Sequence, residues 1–235
     1  MNNDNDKYRY MLVGTGRSGS SLLSAILADA GANFDMPNVS AWDRRSGAYE
    51  HSELINSYKW FSRSKKMALL SDRLRRFCEI RTENKLSTLL DRAVFAKYPH
   101  AFRLIHFTPE LGFYPKIILS YRDFAGYSKS MYRKNGMDMP NLIKFYKEIN
   151  STALLQLEVF GGVAINYKEL VDKSETNWAE TISSLTGIDF SSLLESREKR
   201  VQLNHNMSSI TKNCSFNSEI NAIYSMLNQS KGKIF

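Results

Sequence analysis

The amino-acid sequence predicts an α/β fold with three layers, in which a central parallel sheet of four or five strands is flanked by helices. Two strand–turn–helix units, at residues 8–30 and 115–135, and a third apolar strand at residues 163–166 give this prediction. Parallel strands need long connections of this kind, usually helical. The length of 235 residues suits one α/β domain, so we expect a single domain over residues 1–235.

Charge and composition limit the classes of partner. The chain has 32 Lys and Arg against 24 Asp and Glu, and its formal net charge of +8 favours anionic partners. The clustered basic residues fall in helical stretches and predict a solvated face, without any recognised nucleic-acid motif. They are Lys65, Lys66, Arg73, Arg75 and Arg76. We therefore expect no nucleic-acid partner.

Other classes are excluded by the absence of their patterns. No apolar run approaches the length of a membrane span, and the first residues lack the apolar region of a signal peptide. These observations predict a cytoplasmic protein without a membrane span. Cys78 and Cys214 have no metal-ligand spacing and are expected to be reduced thiols, so no metal is implied.

The first unit predicts a phosphate cradle. A buried strand at residues 8–13 is followed by a glycine-bounded turn at residues 14–19 and a helix whose apolar stripe begins at Leu22. The three glycines of the turn let successive N–H groups converge on an anion at the positive end of the helix. Arg17 is the cation of the turn, and serine hydroxyls lie on both sides of Gly19. A tight turn without a ligand is the alternative interpretation.

This turn differs from a nucleoside triphosphatase loop. That loop has the pattern G-x-x-x-x-G-K-[ST], whereas Ser20 follows Gly19 here. The segment G-T-G-R-S-G-S-S-L-L resembles instead the 5′-phosphosulfate loop of the sulfotransferases, which use 3′-phosphoadenosine-5′-phosphosulfate (PAPS) as sulfuryl donor. The resemblance implies a P-loop-like fold, adenosine-3′,5′-bisphosphate as product, and a set of donor contacts. These are Gly16, Arg17, Ser18, Gly19, Ser20 and Ser21.

The second unit resembles the 3′-phosphate site of the same family. An apolar strand at residues 117–121 ends at Arg122, and Asp123 can cap the helix that follows. Ser130 lies eight residues after Arg122, and the resemblance implies that these two side chains hold the 3′-phosphate. The usual R-D-P has become R-D-F at Phe124, which loses the helix-starting Pro but neither phosphate ligand.

Two segments offer a general base for the acceptor. A short strand predicted at residues 93–96 is followed by K-Y-P-H, and a Lys at the carboxyl end of a central strand points toward the ligand crevice. An irregular loop at residues 33–49 is followed by Glu50. Family members use either a Glu or a His in these places as the general base. The resemblance therefore implies that Lys97 and either Glu50 or His100 are catalytic residues. The G-x-Y-E setting favours Glu50, and Asp35, His51 and His106 are further candidates.

Other stretches have weaker signals. Tyr167 opens Y-K-E-L, which resembles the family's Y-E-x-L segment near the adenine, and it could equally be a core aromatic. Residues 196–206 predict a basic loop, in which Arg197 and Arg200 are candidates for covering the 3′-phosphate. Residues 65–92 predict helix with two apolar faces: Leu69, Leu70, Leu74, Phe77 and Ile80, and then Leu86, Leu89 and Leu90.

Sulfuryl transfer is an in-line displacement that depends mostly on positioning and fixed positive charge. The acceptor stays open among small molecules, carbohydrates and lipids, since Trp42, Tyr49, Tyr58 and Trp60 suit a sugar, a lipid head group or a phenol equally. The alternatives are a P-loop nucleotide kinase or triphosphatase, which needs a Lys after Gly19, and a non-catalytic nucleotide-binding module. The absence of a unique base leaves room for the second.

Overall fold

A parallel sheet forms the centre of the computed structural model, which describes residues 7–37, 49–202 and 218–235. The strands within these residues are β1 (Tyr8–Val13), β2 (Phe95–Lys97), β3 (Tyr114–Tyr121) and β4 (Gly162–Asn166). They pair in parallel in the order β2-β1-β3-β4. The predicted parallel sheet is confirmed, and the first strand of the chain lies in its interior.

Helices connect the strands and cover both faces of the sheet. Within the described residues they are α1 (Ser20–Asp29), α2 (Ser52–Met67), α3 (Asp72–Leu90), α4 (Phe124–Asn135), α5 (Met139–Phe160), α6 (Tyr167–Val171), α7 (Asn177–Thr186), α8 (Phe190–Gln202) and α9 (Ser218–Ser230). Two short 3₁₀ turns, Ala101–Arg103 and Ile105–Phe107, follow β2. None of these helices is both long enough and apolar enough to cross a membrane.

Each face of the sheet is buried under its own set of helices. Met11 and Ile117 belong to an apolar cluster with residues of α2, α3, α5 and α9. Their neighbours Leu12 and Ile118 point to the opposite face and belong to a second cluster with residues of α1, α7 and α8. The strands are apolar on both faces for this reason, and the three predicted layers are confirmed.

The register gathers the carboxyl ends of the strands at one edge. Val13 is opposite Leu119, and Leu12 is opposite Lys97. Tyr121 is opposite the last residue of β4. The turns after β1 and β3 therefore lie side by side with Lys97, at the edge where open parallel sheets bind their ligands.

Three predicted boundaries were wrong. The strand predicted at residues 93–96 is Phe95–Lys97, so Lys97 lies inside the strand and pairs with β1. The helical stretch at residues 65–92 is interrupted by a turn at residues 68–71. Residues 196–202 belong to α8 instead of a loop because Leu193, Arg197 and Val201 bury one side of a helix at a spacing of four residues. Residues 203–206 lie outside the described residues.

The two apolar faces predicted for residues 65–92 differ in burial. Leu86, Leu89 and Leu90 are fully buried, whereas Leu69 is 88% and Leu70 is 73% exposed. The reason is that α2 and α3 form a hairpin, in which Ser57 and Thr82 exchange hydrogen bonds across the helix pair. Its base enters the core and its tip, at residues 68–71, does not.

Candidate active site

The turn after β1 is held in place by close packing against β3. Arg17 and Gly19 have φ angles of 71° and 94°, a conformation that is uncommon for a residue other than glycine. A Cβ atom at Gly14 would lie 2.3 Å from the carbonyl oxygen of Ser120, so only glycine fits there. The Ser120 hydroxyl donates to the carbonyl of Ser18 at 2.9 Å. The sheet therefore fixes the turn from one side.

The amino end of α1 has no capping side chain at its N-cap position. Gly19 is its N-cap residue and provides no side-chain hydrogen bond, and the first turn contains no acidic residue. First-turn N–H groups have no partner inside a helix, and the helix dipole adds partial positive charge. Within the described residues, the buried hydroxyls of Thr15 and Ser18 also have no hydrogen-bond partner. The turn fits a phosphate or sulfate, whose oxygens would pair with these main-chain donors.

A hydrogen bond joins this turn to the helix after β3. The Nε of Arg17 donates to the hydroxyl oxygen of Ser130 on α4 at 2.9 Å. The resemblance implies that these residues contact different phosphates of one donor, and they lie 113 residues apart in the chain. The two strand–turn–helix units are therefore in direct contact at this edge of the sheet.

Arg122 lies at the end of β3 with its side chain across the start of α4. A Cβ atom at Gly126 would lie 2.3 Å from its Nε, so this glycine leaves the space that the guanidinium occupies. The main-chain carbonyl of Arg122 accepts a hydrogen bond from the buried Tyr146 hydroxyl at 2.8 Å. Ser130, which the resemblance pairs with Arg122 on one phosphate, has Arg17 as its partner in this structure.

Tyr167 lies between the two units. The Arg122 guanidinium is 4.6 Å from the centre of its ring, and a Cβ atom at Gly19 would lie 2.2 Å from a ring carbon. The ring is half-buried and also packs against the apolar cluster beneath α1. The ring therefore contacts both the core and the two turns, and its contact with an adenine stays a prediction.

Lys97 connects the first turn to Glu50. Its side chain is buried, and its Nζ lies 3.0 Å from the Ser21 hydroxyl and 3.4 Å from Oε1 of Glu50. A buried ammonium group needs such partners because burial disfavours the charged form. The Glu50 side chain is 21% exposed, so part of it is in contact with solvent.

His51, one of the further base candidates, has a structural role instead. Its ring is buried, with Nε2 2.7 Å from the carbonyl oxygen of Phe34 and Nδ1 3.4 Å from the main-chain nitrogen of Lys97. These partners place the proton on Nε2, and burial lowers the pKa of His51, which keeps the ring neutral. The ring ties the segment that bears Glu50 to β2, and neither nitrogen is available to an acceptor.

His100 lies in an aromatic cluster next to the Lys97–Glu50 pair. Its ring stacks on Tyr58 with 4.9 Å between centres and meets Tyr98 at 5.5 Å. Burial, and secondarily the charge of Arg103, lowers the pKa of His100, so the ring is neutral near pH 7. Within the described residues its Nδ1 is buried without a hydrogen-bond partner.

Arg103 and Glu148 belong to this cluster although no sequence pattern singles them out. Arg103 donates to the Tyr58 hydroxyl at 3.2 Å and to the Glu148 carboxylate. Both partners are 45 residues away in the chain. Such contacts arise only from tertiary packing, and no local sequence signal could have revealed them.

Four other candidates make structural contacts. Arg197 is buried and donates to the carbonyls of Asp172, Lys173 and Glu175, so it supports the loop after α6 instead of covering a phosphate. Arg200 makes two contacts of 2.7 Å with Asp29, which join α8 to α1. Asp35 pairs with Arg92 at 3.4 Å. His106 packs on Phe107, with 4.1 Å between ring centres.

A cavity of about 400 Å³ lies at the opposite end of the sheet. Tyr8 and Tyr114, the first residues of β1 and β3, line it together with Lys116, so it does not belong to the site. Within residues 7–37, 49–202 and 218–235, no group of three or more His, Cys, Asp and Glu side chains is arranged to hold a metal ion.

Comparison with solved structures finds a sulfotransferase domain of the same fold. The domain comes from the Synechococcus PCC 7002 olefin synthase, with a TM-score of 0.59 and 16% identity over 97% of each chain. The chain therefore has the P-loop-like α/β fold of a sulfotransferase domain. Comparisons of the sequence with protein-family models and with curated proteins gave no match.

Proposed function

We propose that the protein is a sulfotransferase that moves a sulfuryl group from PAPS to a hydroxyl or amine of an acceptor. The hydrogen bond from Arg17 to Ser130 carries the proposal, because it brings together the two units that we expect to bind anions. PAPS has anionic groups on both its 5′ and 3′ positions, and two separate units suit such a donor. The fold shared with a sulfotransferase domain supports the same conclusion.

A nucleotide kinase fits these residues less well. Ser20 occupies the position where a P-loop kinase has the Lys that contacts the terminal phosphates. Arg122 ends β3, where a kinase would need a carboxylate to hold Mg²⁺. Both differences replace a group that a nucleoside triphosphate requires.

The turn after β1 would hold the 5′ end of the donor. The main-chain N–H groups at the start of α1 and the guanidinium of Arg17 present fixed positive charge, which stabilises developing negative charge without reorganisation. Lys97 adds a buried positive charge beside Ser21. Arg122 and Ser130 would hold the 3′-phosphate, and Tyr167 would contact the adenine. When bound, the donor supplies an activated sulfuryl group.

We assign to Glu50 the role of general base. An acceptor hydroxyl loses its proton as the new S–O bond forms, and a positioned base contributes about 10²–10⁴-fold to such a step. The Glu50 side chain is partly exposed, and its carboxylate is linked to the first turn through Lys97. His100 is the second candidate, since its ring is neutral near pH 7. We rank His100 second to Glu50 because its Nδ1 is buried.

We propose that the acceptor, a small molecule, carbohydrate or lipid head group, binds against the aromatic cluster beside Glu50. Tyr58 and Tyr98 are partly exposed, and aromatic rings suit the apolar face of a sugar or a phenol. Arg103 adds hydrogen-bond donors at the same place. Trp42, expected to line this pocket, lies outside the described residues.

Ligand preference tests the donor site. Thermal unfolding is measured with adenosine-3′,5′-bisphosphate, 5′-AMP and ATP, each with and without Mg²⁺. We expect the bisphosphate to raise the midpoint of thermal unfolding most, and to do so without Mg²⁺. A ligand at 100 times its Kd raises the free energy of unfolding by about 2.7 kcal/mol. Stronger stabilisation by ATP with Mg²⁺ would contradict the proposal. The variant Arg76→Gln, at an exposed arginine of α3, is the control and should respond to each ligand like the unaltered protein.

Transfer is tested separately with ³⁵S-labelled PAPS and a panel of sugars, phenols, lipids and amines. A labelled product that requires the protein supports the proposed reaction. Tight bisphosphate binding without transfer to any member of the panel would favour a non-catalytic nucleotide-binding module.

A further inference from the structure

The tip of the α2–α3 hairpin exposes two leucines on an ordered turn. Leu69 is 88% and Leu70 is 73% exposed. Their main-chain N–H groups donate to the carbonyls of Lys66 and Met67 at 3.3 and 2.9 Å. The N–H of Ser71 also donates to Met67, at 2.9 Å. Because these hydrogen bonds hold the turn, the exposure of the leucines belongs to the folded hairpin.

Further apolar side chains extend this surface along α3. Leu74, Phe77 and Ile80 are 47%, 47% and 42% exposed. Their spacing of three residues places them along one side of the helix. The Phe77 ring meets Trp60 of α2 edge to face, with 6.0 Å between centres. We call these residues, Trp60, Leu69, Leu70, Leu74, Phe77 and Ile80, the tip surface. Exposed apolar side chains grouped in this way commonly mark an interaction site.

Positive charge is concentrated around the tip surface. Residues 59–81 contain eight Lys and Arg and two carboxylates, a net charge of +6 in a chain whose total is +8. The carboxylates are Asp72 and Glu79, and the cations are Lys59, Arg63, Lys65, Lys66, Arg73, Arg75, Arg76 and Arg81. About a tenth of the chain therefore carries most of its excess charge.

The stability of α3 does not account for its arginines. Arg73, Arg75 and Arg76 lie in the first two turns of α3, at the positive end of the helix dipole, where cations are unfavourable. Arg75 pairs with Asp72 at 3.4 Å and with Glu79 at 3.7 Å, and its side chain is 45% exposed. Arg76, 62% exposed, pairs with Glu79 at 3.6 Å and with Glu83 at 3.3 Å. Such exposed pairs offset little of this cost. An external anion would balance the charge.

We propose that the tip surface docks the protein on an anionic lipid bilayer. Leu69 and Leu70 would enter the boundary between head groups and acyl chains, while the surrounding Lys and Arg contact lipid phosphates. Trp60 lies where an aromatic ring favours the interface. A bilayer fits a convex turn better than an acidic protein does, because a protein partner would need a matching apolar hollow. This surface is separate from the candidate active site, so the proposal stands independently of sulfuryl transfer.

Cosedimentation of the full chain with vesicles tests the proposal. We expect binding to phosphatidylcholine vesicles that contain about 30 mol% phosphatidylserine, weak binding to phosphatidylcholine alone, and release at high salt. Lys65→Gln combined with Lys66→Gln should lower partitioning about thirty-fold, from about 1 kcal/mol per cation. Leu69→Ser combined with Leu70→Ser should lower it about tenfold or more.

Matched variants separate this surface from general effects of charge and apolarity. Leu155→Ser with Val159→Ser changes two exposed apolar residues of α5, 62% and 72% exposed, in a stretch without Lys or Arg at residues 151–160. Lys7→Gln with Lys233→Gln removes two exposed charges elsewhere. Both controls should bind vesicles like the unaltered protein.

Three results would overturn the proposal. The first is no binding to phosphatidylserine vesicles at low salt, and the second is equal partitioning of tip and control variants. The third is a dimer in sedimentation velocity that the two serine substitutions abolish, without vesicle binding, since the surface would then join two copies of the chain. Circular dichroism and melting curves confirm that each variant is folded.

Discussion

The two strand-to-helix junctions of the candidate site have the same order of strand, turn and helix, but they differ in how the amino end of the helix is capped. After β1, α1 begins at Gly19 without a side-chain cap. After β3, Asp123 caps α4 by accepting a hydrogen bond from the N–H of Gly126 at 2.7 Å. The first helix end has no side-chain cap, whereas one N–H of the second is already bound by Asp123. An anion at the second junction must therefore be held by side chains such as Arg122.

Glu50→Gln should have the largest effect on turnover. Glu50 contacts Lys97, which in turn contacts Ser21 at the first junction. Turnover should fall by about 10²–10⁴-fold while bisphosphate affinity at both junctions stays nearly unchanged, since the amide cannot take a proton. The measurement is sulfuryl transfer to an acceptor identified in the screen, with the melting temperature as a control for folding. A greater loss in His100→Ala than in Glu50→Gln would move the base to His100.

Arginine removal should distinguish the junctions by ligand preference. Arg17→Ala and Arg122→Ala should each weaken adenosine-3′,5′-bisphosphate by about 1.5–3 kcal/mol, or about 10–150-fold, because each removes a charged hydrogen-bonding group. Only Arg122→Ala should erase the preference for this ligand over 5′-AMP. Calorimetric titration of both ligands checks this, with Arg76→Gln as control. An unchanged preference in Arg122→Ala would place the second phosphate elsewhere.

Exchanging the capping arrangements should alter stability and binding in different directions. Ser21→Asp puts a carboxylate in the first turn of α1, next to Lys97, and should stabilise the ligand-free protein by about 0.3–1 kcal/mol while abolishing bisphosphate binding. Asp123→Ala should destabilise it by about 1 kcal/mol and leave binding at the first junction intact. Urea unfolding and titration measure both, with Ser21→Asn as the uncharged control. Normal binding by Ser21→Asp would show that the anion does not sit on α1.

The pH dependence of stability should give the smallest effect. It reports on His51, whose ring holds the Glu50 segment against β2. Burial lowers the pKa of His51 and of His100 below the 6.5 of an exposed imidazole. As pH falls, the unfolded chain binds these protons first, so stability present above about pH 6.5 is lost as pH falls through the lower folded pKa values. The free energy of urea unfolding should decrease from about pH 7 to about pH 5, and less steeply in His51→Gln. An increase over this range would mean that these rings are not buried and neutral.

The features that the sequence predicted correctly depend on local patterns. The apolar runs at residues 8–13 and 117–121 identify strands, and the residues that follow each run identify where a helix begins. Asp123 was predicted as a cap from its position alone, and its hydrogen bond to Gly126 confirms this. The parallel sheet follows from the same units because their helices occupy the connections between strands.

The features that sequence analysis missed depend on how the elements meet. Helical spacing predicts that Leu70, Leu74 and Phe77 share a side, but it does not show whether that side meets the core, and here it meets solvent. The role of His51 depends on the carbonyl of Phe34 and the N–H of Lys97, which lie in other segments. Contacts of this kind have no local signal, so only the folded chain reveals them.

The position of β1 inside the sheet also determines how the chain can fold during synthesis. β1 pairs with β2 through Tyr10 and Phe95, and with β3 through Tyr8 and Tyr114, so its partners follow about 85 and 106 residues later. At a synthesis rate of about 5–20 residues per second, this apolar strand waits roughly 4–17 s for β2 alone. Parallel pairing between such distant segments is slow. The strand that is central in the folded protein is therefore the one that a nascent chain must keep from aggregating.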